Sequence, residues 1–181
     1  MKVISGKYKG RRLDGFDIDG TRPTMDRVKE SLFAMIQNHI VDAVCLDLFS
    51  GSGNLGIEAL SMGARESYFV DKNKKAFFTI KKNLEMIDCN SDTVFCMDYQ
   101  KALKMFSDNS LLFDVIFLDP PYQTDFVSKS VSLIVSLGLL SKDGIIVCES
   151  DNIDKIEYPS CLEVVKMKKY GDKLVAILRY V

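Results

Sequence analysis

The chain has 181 residues, 47% hydrophobic and 27% charged, with a formal net charge of -1. That length buries roughly 70% of the unfolded surface in one core without disulfide or metal staples, and the near-neutral balance excludes a protein that coats nucleic acid by bulk charge. No run approaches the ~18 apolar residues of a membrane span, and the basic start MKVISGKYKGRRL has no apolar segment after it, so a cytoplasmic protein is expected.

Charge is unevenly placed. Residues 1–30 carry eight basic side chains (Lys2, Lys7, Lys9, Arg11, Arg12, Arg22, Arg27, Lys29) against five acids, which makes this end a candidate polyanion contact. Lys7, Tyr8, Lys9, Arg11 and Arg12 form a strip suited to phosphate contacts with one ring for stacking. The simpler alternative is a solvated edge hairpin whose lysines discourage aggregation. In the next segment, TRPTMDRVKESLFAMIQNHI, Val28, Leu32, Phe33, Ile36 and Ile40 recur at helical spacing behind Pro23, which predicts a helix.

From there short β-rich runs (AVCLDLF, ESYFVD, TVFCMD, FDVIFLD, GIIVCES) alternate with helical periods over 55–62, 76–87 and 126–137. Strands apolar on both faces and separated by helices predict an α/β fold with a mostly parallel sheet covered on both sides. The last two runs, CLEVVKMKKYG and KLVAILRYV, are separated only by Gly171 and Asp172 and predict an antiparallel hairpin. The whole reads as one domain over 1–181, with a basic arm over 1–25 and the α/β core over 26–181. Cys45, Cys89, Cys96, Cys148 and Cys161 form no CxxC pair, and three lie in strand-like runs, so buried reduced thiols are expected and no metal site. His39, the only histidine, has no nucleophile motif beside it and reads as structural or surface.

The stretch LDLFSGSGNLG ends in a literal GxGxxG, with glycines at 51, 53 and 56. Such spacing shows a strand turning tightly into a helix while its backbone approaches a ligand, and does not name the ligand. Asp47, Asp71, Asp98 and Asp119 all fall at strand carboxyl ends, where open α/β sheets bind ligands. Taken singly, each also fits a turn or helix N-cap. Asp71, 20 residues past Gly51, suits the ribose hydroxyls of either NAD or S-adenosylmethionine (SAM). Asp47 separates the two, because a carboxylate leading into the loop repels a pyrophosphate and attracts the sulfonium and ammonium of SAM. Asp98 is placed to accept from the adenine amino group.

The fourth strand ends FDVIFLDPPYQ. A rigid turn explains Pro120 and Pro121, but not an acid before them and an aromatic after them. Asp119 and the Pro120 carbonyl suit the two hydrogens of an exocyclic amine, with the Tyr122 ring stacked on the base. Orientation and electrostatics then supply most of the rate gain, and no metal is needed.

The glycine loop, the acids at 71 and 98, and DPPY resemble the amino-directed class I methyltransferases, whose sheet is seven-stranded and Rossmann-like. ISGKYKGRRL, TRPTMDRVKESLF and LDLFSGSGNLGIEALSMGA resemble, in order and spacing, the RsmD family of 16S ribosomal RNA guanine-N2 methyltransferases. The resemblance implies cofactor contacts at Asp47, Phe49, Gly51, Gly53, Asp71, Asp98 and Tyr99, and amine chemistry at Asp119, Pro120, Pro121 and Tyr122. It further implies RNA contacts at Lys9, Arg11, Arg12, Arg22 and Arg27. SAM would leave as S-adenosylhomocysteine, and 16S RNA, within a small ribosomal subunit or an assembly intermediate, would be the partner. Asn54 departs from the small residue usual there. DPPY alone leaves N6-adenine methylation of DNA or RNA as the alternative.

Overall fold

The computed structural model describes residues 1–15, 26–121, 124–150, 156–171 and 173–181. Seven strands, β1 (Val44–Asp47), β2 (Glu66–Asp71), β3 (Val94–Cys96), β4 (Phe113–Leu118), β5 (Leu140–Ser150), β6 (Leu162–Tyr170) and β7 (Lys173–Tyr180), form one sheet in the order β3-β2-β1-β4-β5-β7-β6. The first five pair in parallel, and β7 runs antiparallel to both β5 and β6. Strand order reverses between β1 and β4, the switch point at which ligands enter such sheets.

Helices α1 (Asp26–Ile36), α2 (Asn54–Ser61), α3 (Lys74–Glu85), α4 (Tyr99–Asp108) and α5 (Thr124–Ser136) cover both faces. Alternation along the central strands divides the core. Ile116, Leu118, Ile146 and Cys148 pack with Leu103, Phe106, Val131 and Ile134 of α4 and α5. Val115, Phe117, Ile145 and Val147 pack with Val28, Leu32, Phe33 and Ile36 of α1. A third cluster joins Ile57 of α2 and Ile80 and Leu84 of α3 to Phe69, and to Val3 and Leu13 of the N-terminal segment.

The parallel sheet, both covered faces and the terminal hairpin agree with the sequence expectation. Helix α4 is an addition, in a segment for which no element is named above. Its buried residues, Tyr99, Ala102, Leu103 and Phe106, do have helical spacing, and Asp98 Oδ1 caps it by accepting from Gln100 N at 2.9 Å. Cysteine burial is a correction. All five are free, and Cys45 and Cys148 are buried, with thiols pushed up to about 12 by desolvation. Cys96 and Cys161 are exposed, because β3 is a short edge strand and Cys161 precedes the other edge strand. His39 is exposed in a short 3-10 turn after α1.

The third glycine of the loop has a packing role. A Cβ at Gly56 would lie 2.3 Å from Cε1 of the fully buried Phe69 ring. Gly56→Ala is therefore expected to cost about 1–3 kcal/mol. Calorimetry checks this, and an unchanged melting temperature would show that the ring moves aside freely.

Candidate active site

The site is built at the carboxyl ends of β1, β2 and β4. Gly53 N donates to Ser50 O at 2.7 Å, and Ser50 itself bridges to β2, donating N–H to Val70 O and accepting from Val70 N through Oγ. Gly53 stands at φ +80°, in the left-handed region that other residues enter at a cost, and directly precedes α2. The loop thus turns backbone N–H groups and the positive end of α2 towards the space above the sheet.

Asp47 is buried beneath this loop, and its Oδ2 accepts from Gly56 N at 3.0 Å. Burial pushes its carboxyl up to about 7; the Gly56 bond opposes the rise, and the charges of Asp119 and Asp71 add to it. Asp71 accepts from Gly51 N at 2.9 Å and Asn73 N at 2.8 Å, one on each oxygen, leaving further lone pairs for a ligand. Burial raises its pKa despite those two bonds. Asp119 and Pro120 follow β4, half-buried. The negative charges of Asp71 and Asp119 thus add to the burial that raises Asp47, and the site favours a positive charge.

Asp47 has a consequence for stability. A carboxyl whose folded pKa lies above its unfolded value of about 3.9 contributes stability fully at low pH and loses it as pH rises through about 7. Asp47→Asn keeps a carbonyl oxygen for Gly56 N–H and removes the titration. The variant's melting temperature is expected to decline less between pH 5 and 8 than that of the parent; parallel declines would contradict the assignment.

Beside the carboxylates, Phe49 after β1, Tyr99 in the first turn of α4 and Phe126 in the first turn of α5 form an aromatic wall, with ring centroids 5.4, 6.1 and 5.8 Å apart. Phe126 is absent from the sequence prediction; its only signal is its place at the start of the helix after DPPY. Asp98 meets the wall as the N-cap of α4, so the capping alternative holds for it. Tyr122 and Arg22 lie outside the described residues.

A buried network under the loop is also missing from the sequence prediction. Lys29 of α1 is fully buried and gives its three ammonium protons to Glu58 Oε2 at 2.9 Å, Asn54 Oδ1 at 2.7 Å and Lys2 O at 2.8 Å. Lys29 therefore leaves the set of basic residues available to a polyanion. Asn54, the departure noted above, is one of its acceptors. Glu58 also accepts from Ile4 N and Ser5 N, fastening the N-terminal segment to α2. Asn83 of α3 donates to Ser52 O at 2.9 Å and Asp14 O at 3.1 Å, joining the same segment to the glycine loop. Lys29 and Glu58 fall on the helical stripes of α1 and α2, and that spacing in otherwise apolar stripes is the one sign of them in the sequence.

The N-terminal segment folds back on itself through a Lys2–Arg12 bridge, with Val3 and Leu13 in the core and Lys7, Lys9, Arg11 and Arg12 exposed. Gly6, at φ +75°, sits so close to α2 that a Cβ would overlap Ser61 O. Lys7 N bonds that same carbonyl at 2.7 Å. The tip carrying Lys7 and Lys9 thus lies at the far end of the eight-residue α2, about 12 Å from the glycine loop. Arg27 is exposed at the start of α1.

The sheet order, the glycine loop between β1 and α2, and the antiparallel β7 define a class I methyltransferase fold. A family described as conserved hypothetical protein 95 matches residues 1–179. The chain is 40% identical to an rRNA methyltransferase candidate of Bacillus subtilis, YlbH, over 99% of this chain and 98% of that one. It is 34% identical to ribosomal RNA small subunit methyltransferase D of Haemophilus influenzae, over 94% and 89%. A candidate methyltransferase of Escherichia coli, yhhF, superimposes with a TM-score of 0.87 at 26% identity, covering 99% of this chain and 97% of that one. The chain belongs to the RsmD family of methyltransferases.

Proposed function

We propose that this chain transfers the methyl group of SAM to the exocyclic N2 of a guanine in small-subunit ribosomal RNA, acting in the cytoplasm as one domain over residues 1–181. The observation that carries the reading is the set of three carboxylates, Asp47, Asp71 and Asp119, the last two raising the proton affinity of the first, beside a left-handed glycine turn at the sheet's switch point. Such a site suits a cationic cofactor and disfavours a pyrophosphate. The names of the relatives support the RNA substrate.

SAM supplies an electrophilic methyl group on a positively charged sulfur. Asp71 and the Gly51–Gly53 backbone would hold its ribose and amino-acid portions, with Asp47 setting the potential beneath them. Phe49, Tyr99 and Asp98 would flank the adenine. Asp119 and the Pro120 carbonyl would accept the two hydrogens of the guanine amine, fixing its nitrogen in line, and Asp119 would take the proton released. Pro121 would fix the turn and Tyr122 would stack on the base. Lys9, Arg11, Arg12, Arg22 and Arg27 would contact phosphates outside the pocket.

The test is incubation with labelled SAM and unmodified small ribosomal subunits, followed by digestion to nucleosides. Label is expected in N2-methylguanosine, and label in N6-methyladenosine would move the assignment to adenine. Because ionised Asp47 favours a cation, affinity for SAM is expected to rise as pH passes through about 7 and to fall about tenfold or more in Asp47→Asn. Calorimetric titration at pH 6 and 8 measures both.

A further inference from the structure

The β6–β7 hairpin lies at the same end of the sheet as Asp119, and sheet registry places it level with that residue. Leu118 pairs with Cys148, Cys148 with Ala176, and Ala176 with Met167. One residue further along, the row that begins at Asp119 runs through Glu149 and Val175 to Lys168, and the next, from Pro120, runs through Ser150 and Leu174 to Lys169. Lys168 and Lys169 thus stand three strand spacings from the DPP segment, about 14 Å away. Lys166 lies two residues before Lys168 on the same edge strand.

These three lysines are exposed and, among the described residues, pair with no carboxylate. Lys166 Nζ reaches Met35 O at 3.1 Å, and Lys168 Nζ reaches Ser31 Oγ at 2.8 Å while lying 5.3 Å from the Tyr170 ring centroid. These partners are neutral, so no carboxylate among the described residues offsets the charge of Lys166 and Lys168. Lys173, by contrast, is paired with Glu149. The N-terminal tip with Lys7 and Lys9 is at the opposite end of α2, so the free cations at the catalytic end include this edge.

We infer that Lys166, Lys168 and Lys169 of β6 form an RNA-docking edge that grips substrate phosphates next to the target base. The inference rests on the RNA reading above. Lysines on an edge strand also deter strand-to-strand pairing, but that role is met by any charge, whereas phosphate binding requires a positive one.

The experiment measures methylation of small ribosomal subunits across a series of salt concentrations. The variants are Lys166→Gln/Lys168→Gln/Lys169→Gln and the single Lys169→Glu, which leaves the contacts with α1 in place. For the triple variant, KM for the subunit is expected to rise about tenfold or more, and the slope of log KM against log salt to fall by about 2, as expected when two or three phosphate contacts are lost. SAM affinity should stay that of the parent, showing that the fold is intact. Lys169→Glu should raise KM without causing self-association, and lysine-to-arginine changes at the three positions should restore the parent values. Parent-like KM and salt slope in both charge-removing variants would overturn the docking edge alone. A parent protein that methylates no guanine would instead overturn the function on which it rests.

Discussion

Lys29→Ala is expected to destabilise the protein by about 3–5 kcal/mol, the usual cost of leaving one member of a buried ion pair alone. Lys29 and Glu58 are both wholly inaccessible, and the lysine's three donors are matched to three acceptors on separate segments. Removing the ammonium leaves a buried carboxylate with only the N–H groups of Ile4 and Ser5 and the Ser5 hydroxyl to balance it. For a chain of this size the loss corresponds to a fall of roughly 6–20 °C in melting temperature. The double variant Lys29→Met/Glu58→Leu should recover only part of it, since the apolar pair carries no desolvation cost but leaves Ile4 N, Ser5 N, Lys2 O and Asn54 Oδ1 without these partners. A single variant that melts within a degree or two of the parent would show that water or a shifted carboxyl proton rescues Glu58.

Asp119→Ala is expected to lower kcat by about 100- to 1,000-fold, the range for losing one polar group aimed at charge that develops in a transition state. Affinity for SAM should change far less, because Asp47 and Asp71 remain. Single-turnover rates with small subunits, together with SAM titration, separate the two effects, and undiminished turnover would remove Asp119 from the chemistry. A second readout follows from the electrostatics. The Asp119 charge helps to raise Asp47, so Asp119→Ala should move the pH dependence of SAM binding towards lower pH.

Much of the site is legible in local sequence because the features concerned are local in cause. A strand ending in Asp47 and turning through Gly51 and Gly53 must place a carboxylate near backbone N–H groups, since one turn joins them. The packing of Gly56 against the Phe69 ring is not among these local readings, since the ring sits on the facing strand. The reading of the basic end is coarser. Net charge over 1–30 does not distinguish Lys29, sealed beneath α2, from Lys9, which is open to solvent. Only helix periodicity bears on that difference, and it applies within α1 and not across to Glu58.

Sequence by itself determined the alternation of strands and helices apart from α4, the reversed final hairpin, the glycine loop and the acids at strand ends, because these follow from hydrophobic period, turn chemistry and position along each strand. Tertiary structure decided what depends on pairing across the sheet and between layers. The register from Leu118 through Cys148 and Ala176 to Met167 sets Lys168 level with Asp119, though 49 positions separate them in the chain. The docking of Gly6 against Ser61 turns the basic tip away from the glycine loop. Neither relation has a local signature, since each is fixed by which surfaces bury one another when the layers close.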